Sequence, residues 1–182
     1  MSKDQGNIIR FIAGYALGIG LFLILIPYGI WYLSSTGYFI FIIPIIPLDY
    51  VRIIVSALLF ISGAIFVIWS NVFLLLKGKG GPTDFAGISI SPQTKKLVVE
   101  GPYKYTRNPM VFGVNSIYVS ISIYLNSLGC LIVLIIFFLI LVKYVVATEE
   151  KRLLNDFGAD YLEYKEKTSM IIPLPKKKTV KG

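Results

Sequence analysis

GPYKYTRNPM, residues 101–110, stands at the lip of an apolar run that continues to residue 148 with one break. Two prolines, two tyrosines, a lysine and an arginine are more than a bare connection between helices requires. Beyond them, residues 110–126 and 128–148 each read as a membrane helix, for which about 20 apolar residues suffice. Asn126, Ser127 and Gly129 supply a tight turn between the two, which predicts a helical hairpin. Upstream, residues 8–33 and 51–76 have the same apolar character. The first of these is too long for a signal-peptide core and has no clear cleavage site, so it reads as a spanning helix. Residues 38–48 are apolar but short, and Pro44 and Pro47 break them, which suits an interfacial or re-entrant piece. The expected fold is all-α, a polytopic transmembrane helical bundle of about four spans in a single domain over residues 1–182. Residues 1–76 would hold the N-terminal spans and residues 77–182 the loop, the hairpin and the C-terminal segment.

Composition supports that expectation. Of 182 residues 55% are hydrophobic and only 15% charged, against roughly 25% charged in soluble domains, and mean hydropathy is +0.73. The formal net charge is +8. Its basic residues cluster at helix ends, which suits anionic lipid headgroups and not nucleic acid. The segment from Lys77 to Asn108 carries Lys77, Lys79, Lys95, Lys96, Lys104 and Arg107, the tail is rich in lysine, and the connection over residues 34–50 has no Lys or Arg. The positive-inside rule then places both termini and the long loop in the cytoplasm. The one cysteine, Cys130, permits no intrachain disulfide. The absence of histidine removes the commonest general base and zinc ligand, and no metal site is visible.

Within the spans, Gly14 and Gly18 form a small-xxx-small pair suited to close helix packing. Asn115, Tyr118 and Ser122 share one helical face and suit hydrogen bonds within the bundle or the lining of a cavity. Outside the spans, two segments could carry chemistry. The loop over residues 77–108 exceeds the ~12–15 residues at which structureless connections become uncommon. It opens with KGKGGPTDFAG, which has neither the spacing of a Walker loop nor the setting of a dinucleotide fingerprint. The second segment is TEEKRLLNDFGADYLEYKEKT, in which Glu150, Leu154, Phe157, Tyr161 and Tyr164 follow a three-to-four spacing and Gly158 interrupts the helix. Such a helix can lie on a lipid surface. However, Glu149 and Glu150, directly after a span on an otherwise basic surface, invite a cationic partner.

These residues resemble a family. GPYKYTRNPM is similar to the GPYRYxRHP or GPYRYxRNPM motif of the isoprenylcysteine carboxyl methyltransferase and phospholipid methyltransferase superfamily. KKLVVEGPY resembles its LVxxGPY, and EEKRLLNDFGADYLEYKEKTSMIIPLP resembles its C-terminal pattern of paired glutamates, FG, spaced tyrosines and a proline-containing exit. The motifs cover residues 95–175, in order, around a helical pair. The resemblance implies an integral-membrane methyltransferase using S-adenosylmethionine, with the loop and the C-terminal helices forming a cofactor pocket. It implies that Val98, Gly101, Pro102, Tyr103, Tyr105, Arg107 and Asn108 form one wall and Glu149 and Glu150 the other. Many relatives have histidine where Asn108 stands, and many have an aromatic residue where Val111 stands, with Phe112 here one step later.

Arg107 and Glu150 are the candidates for catalytic roles. Arg107 suits the methionyl carboxylate, bidentately, or a lipid phosphate. Glu150 suits the cofactor's ammonium or the proton of an amine nucleophile. Tyr103 or Tyr105 suits adenine or the sulfonium methyl, or simply anchors the loop at the interface. The expected partners are the bilayer and a lipophilic or lipidated acceptor. A nicotinamide-dependent membrane reductase of related fold and a non-catalytic membrane scaffold are the alternatives. The lysine-rich tail suits anionic lipid.

Overall fold

A computed structural model describes residues 3–79, 84–85, 88–89 and 94–174. The central part of the glycine-rich loop opening and the lysine-rich tail lie outside the described residues. Nearly all of the described chain is helical: α1 (Lys3–Gly18), α2 (Ile26–Ser35), α3 (Phe39–Ile42), α4 (Asp49–Phe73), α5 (Pro109–Tyr124), α6 (Leu128–Val145) and α7 (Lys151–Lys167). The exceptions include two short antiparallel strands, β1 (Asp84–Phe85) and β2 (Ile88–Ser89).

Three helical stretches are long and apolar enough to cross a membrane: Ile12–Ser35, Asp49–Gly78 and Leu128–Lys167. The last runs over 40 residues, twice the ~20 that a bilayer takes, and is not one rod: Gly158 is non-helical, at φ 51° and ψ −122°, and the chain beyond it folds back until Lys165 meets Glu150. Only its α6 half fits within a bilayer, so the stretch from Glu149 onward stands outside it. α5, read from sequence as a span, has 16 residues and rises about 24 Å, short of the ~30 Å hydrocarbon thickness of a bilayer. It is the most enclosed helix, with Gly113, Ser116, Ile117, Tyr118, Ser120 and Ser122 among its buried residues.

α1 and α2 form one rod joined by a π-helical turn, Ile19–Leu25, and Pro27 explains what that turn leaves behind. The Ile26 N–H bonds to the Leu21 carbonyl, so in this register the Phe22 carbonyl looks to residue 27, a proline with no N–H. The hydroxyl of Tyr118 on α5 donates to that orphaned carbonyl at 2.8 Å, and Tyr118 is only 1% exposed. Tyr118→Phe strands a carbonyl inside an apolar bundle and should cost about 1–3 kcal/mol, read as a lower unfolding temperature in detergent. On the same face, Asn115 donates to the Val111 carbonyl, while the buried Ser122 hydroxyl has no hydrogen bond among the described residues.

α4 and α5 meet along a seam of small residues. Ser56, Gly63 and Ser70 recur every seventh residue as the buried positions of α4, and Gly113 and Ser120 are buried on α5, with Thr106 just ahead of it. The closest approach is between glycines. A Cβ placed on Gly63 would lie 2.6 Å from the Gly113 carbonyl oxygen, and one on Gly113 2.7 Å from that of Gly63. Gly14, of the pair read from sequence, is buried as well.

Between α5 and α6 the chain turns over Leu125–Ser127. Asn126 takes the left-handed conformation, φ 55°, and its side-chain oxygen accepts the backbone N–H groups of Ile45 and Ile46 at 2.8 and 2.9 Å. The Leu128 N–H donates to Ile43. The proline-broken segment after α3 is thereby fastened to this turn.

Candidate functional site

At the opposite end of α5, Gly101–Lys104 forms a 3-10 turn. Gly101 has φ +59°, and a Cβ there would lie 2.6 to 2.8 Å from the Phe73 ring at the end of α4. Glycine is required on both counts. Pro102 is fully buried and Val98 is 8% exposed. The ring of Tyr105, 42% exposed, lies 6.3 Å from that of Trp69, and Phe112 meets Phe66 edge-on at 4.9 Å. α4 is thus the floor on which the loop rests.

The residues after α7 run beside the loop. The Arg107 N–H donates to the Ser169 carbonyl at 2.9 Å and that of Asn108 to Met170 at 3.1 Å. The Thr106 hydroxyl and the Asn108 side-chain amide converge on the same Met170 carbonyl, each at 3.0 Å. The Leu174 N–H returns to Tyr105, and the Tyr164 hydroxyl donates to the Tyr103 carbonyl at 2.7 Å. Asn108 therefore fastens two segments of backbone at the start of α5.

Arg107 and Glu150 meet. Nε and Nη2 of Arg107 both donate to Glu150 Oε1, at 3.1 and 2.7 Å. Their side chains are only 9% and 7% exposed. The contact closes across the α5–α6 turn: Arg107 precedes α5 and Glu150 ends the π-helical turn (Val146–Glu150) that follows α6, so α5 and α6 run antiparallel. Arg107 Nη1 donates to the Lys165 and Thr168 carbonyls. Four of the five guanidinium N–H groups thus have partners in the protein. Glu150 is equally engaged, since Lys165 Nζ lies 2.7 Å from its Oε2. Lys165 was not among the residues singled out from sequence; in YKEK nothing distinguishes it from its neighbours. Tyr161, 1% exposed, is buried against this cluster, its hydroxyl beside Glu150 and Arg107.

Burial acts to raise the Glu150 carboxyl pKa, but hydrogen bonds from Lys165 and Arg107, with their charges, outweigh it and hold it below its ordinary 4.5. A depressed folded-state pKa adds stability that is complete above the unfolded value and is lost as pH falls through the folded one. The melting-temperature advantage of the wild type over Glu150→Gln should hold steady from pH 7 to 5 and narrow below pH 4.5. An advantage independent of pH would contradict this.

Glu149 takes a different position. Its side chain is 46% exposed, with Arg152 Nη2 3.9 Å away. It is near enough to Tyr103 that, after burial, its negative charge is the next cause raising that phenol's pKa. The two glutamates therefore divide: Glu150 is sealed into the protein, and Glu149 keeps a half-exposed carboxylate near Tyr103. Among the described residues no cluster of metal-ligating side chains exists.

A carboxylate next to a tyrosine suits an ammonium or sulfonium group. The buried Thr168 hydroxyl, which has no hydrogen bond among the described residues, suits a polar molecule. These features fit S-adenosylmethionine. A family model described as phospholipid methyltransferase matches residues 51–160, from the start of α4 into α7. No curated protein and no solved structure matches the chain.

Proposed function

We propose, from the premise that the chain belongs to the phospholipid methyltransferase family, that it transfers a methyl group from S-adenosylmethionine to an acceptor drawn from the bilayer. The family makes the protein an integral-membrane methyltransferase; cofactor, acceptor and residue roles are our reading. The observation that carries the reading is the meeting of Arg107 and Glu150 at 2.7 Å, which brings the GPYKYTRNP loop and the acidic end of α6 to one place. The cofactor would be held by Val98, Gly101, Pro102, Tyr103, Tyr105, Asn108 and Glu149, with Arg107 and Glu150 behind them. When bound, it supplies a methyl group on a positively charged sulfur.

What the chain's own residues contribute is position. A negative field on the sulfonium would stabilise the ground state, whose charge is lost on transfer, so it would not accelerate the step. Glu149 is better placed on the cofactor's ammonium, where binding fixes orientation. Arg107 keeps at most one N–H for the methionyl carboxylate, and its larger role is to hold the C-terminal wall against the loop. Glu150, with both oxygens engaged, accepts a proton from an amine acceptor only if Lys165 withdraws. A carboxylate acceptor needs no base at neutral pH. The acceptor is a lipid or a prenylated carboxylate entering sideways, past a short α5 that crosses while shielded by its neighbours. The loop and both termini face the cytoplasm.

Labelled-methyl transfer into a total lipid extract tests this reading. Label should appear in the lipid fraction. S-adenosylhomocysteine should bind the detergent-purified protein while NADPH does not. Glu149→Gln should weaken that binding at least tenfold with the unfolding temperature unchanged. No label and no S-adenosylhomocysteine binding by the wild type would overturn it.

A further inference from the structure

Towards the end of the bundle marked by Asn126, α4 and α5 carry the seam on from the Gly63–Gly113 crossing to Ser56 and Ser120. Between them lies a groove of about 350 Å³, lined by Ile53, Ser56, Ala57 and Phe60 from α4 and by Ser120 and Tyr124 from α5. The two serines do not make it polar. Ser56 donates its hydroxyl to the Ile53 carbonyl at 3.0 Å and Ser120 to that of Ile117 at 2.6 Å, so the groove surface is almost wholly apolar. On α4 the wall runs from Ile53 to Ile61, about 12 Å of helix. That is close to the ~15 Å depth of one leaflet's hydrocarbon. Ser120 is eleven residues beyond Pro109 on α5, about 17 Å along the axis, so the groove is remote from the Arg107 site.

One residue before Ile53, at the groove's end on α4, is Arg52, the only lysine or arginine between residues 11 and 76. Its Nη2 pairs with Asp49 at 2.9 Å, but the two partners differ in setting: the arginine side chain is 22% exposed and the aspartate 76%. Arg52 Nε is buried and makes no hydrogen bond among the described residues. A partly exposed guanidinium whose acidic partner is itself largely in solvent, next to a leaflet-deep apolar slot, matches a phosphodiester with a hydrocarbon chain below it. We propose that this groove binds one acyl chain of an anionic glycerophospholipid, with Arg52 meeting its phosphate. The lipid is a fixed component of the bundle and is not consumed: no polar group in the groove could hold a reacting head. It covers the apolar flank of the seam between the two helices, and so supports the crossing that carries the site.

The full-length protein in mild detergent is titrated with dioleoylphosphatidylglycerol or dioleoylphosphatidylcholine and examined by native mass spectrometry. The wild type should retain one phosphatidylglycerol, preferred at least tenfold over phosphatidylcholine. Arg52→Gln should abolish the preference. Ala57→Trp and, one turn further along the same wall, Ile61→Trp should each lose both lipids, whereas Ile68→Trp, exposed on α4 outside the groove, should keep them. The two groove variants keep the test decisive if one fails to fold. Equal retention of the two lipids by the wild type overturns the proposal, as does normal binding by the groove variants. So does a lipid-free dimer that Ala57→Trp converts to monomer, which would assign the groove to a second copy of the chain.

Discussion

Arg107→Ala should lower the unfolding free energy by about 3–5 kcal/mol, the range for removing one partner of a buried ion pair. The cost comes from what remains. Glu150, 6% exposed, keeps its charge with only Lys165 opposite, and the Lys165 and Thr168 carbonyls lose their donor. Arg107→Lys should recover less than half, because a single ammonium cannot reproduce a fork aimed at one carboxylate and two carbonyls. In Arg107→Ala/Glu150→Gln the abandoned charge is gone, so the double variant should be more stable than Arg107→Ala alone. Denaturant unfolding in detergent micelles measures all three. A loss under about 1 kcal/mol for Arg107→Ala would mean that the pair behaves like an exposed one and that the loop is held chiefly by its backbone contacts to Ser169 and Met170.

The same residues show what could be read in advance. The meeting of loop and acidic pair follows from motif order around a tight turn. Both Asn126 with positive φ and Gly158, at φ 51° and ψ −122° inside α7, stand where the sequence placed a break. The division of labour between Glu149 and Glu150 was not legible: adjacent on a helix, they face different surroundings, and only the position of Lys165 fifteen residues later decides which one is sealed. α5, third of the four expected spans, has the composition of one; its shortness and its enclosure are properties of the packing. Pro27 was plain in the sequence, but its consequence for Phe22 depends on a π register that no local pattern announces. Gly14 and Gly18 drew notice by their spacing, while Gly63 and Gly113 lie on different helices and become a pair only through the antiparallel register of α4 and α5.

That glycine pair carries the other large effect. A Cβ on Gly63 would sit 2.6 Å from the Gly113 carbonyl oxygen, 2.9 Å from Ile117 Cγ1 and 3.0 Å from the Ile117 nitrogen. Two of those three atoms are backbone, so a rotamer change cannot relieve the overlap; the helices must separate. In lipid no hydrophobic drive holds them, and the close backbone approach is itself the source of attraction. Gly63→Ala should cost about 1–3 kcal/mol, as overpacking does, and Gly63→Leu should abolish the folded bundle. Gly29→Ala is the control, since nothing lies within 4 Å of a Cβ there, and should change stability by less than about 0.5 kcal/mol. The effect extends to the site: Phe66, Trp69 and Phe73 of α4 support Phe112, Tyr105 and Gly101, so a shift of α5 along or away from α4 displaces the loop. Gly63→Ala should therefore weaken S-adenosylhomocysteine binding even where most of the protein remains folded, whereas Gly29→Ala should not. Equal unfolding curves for the two alanine variants would show that the crossing tolerates separation and that the loop is positioned by the C-terminal segment instead.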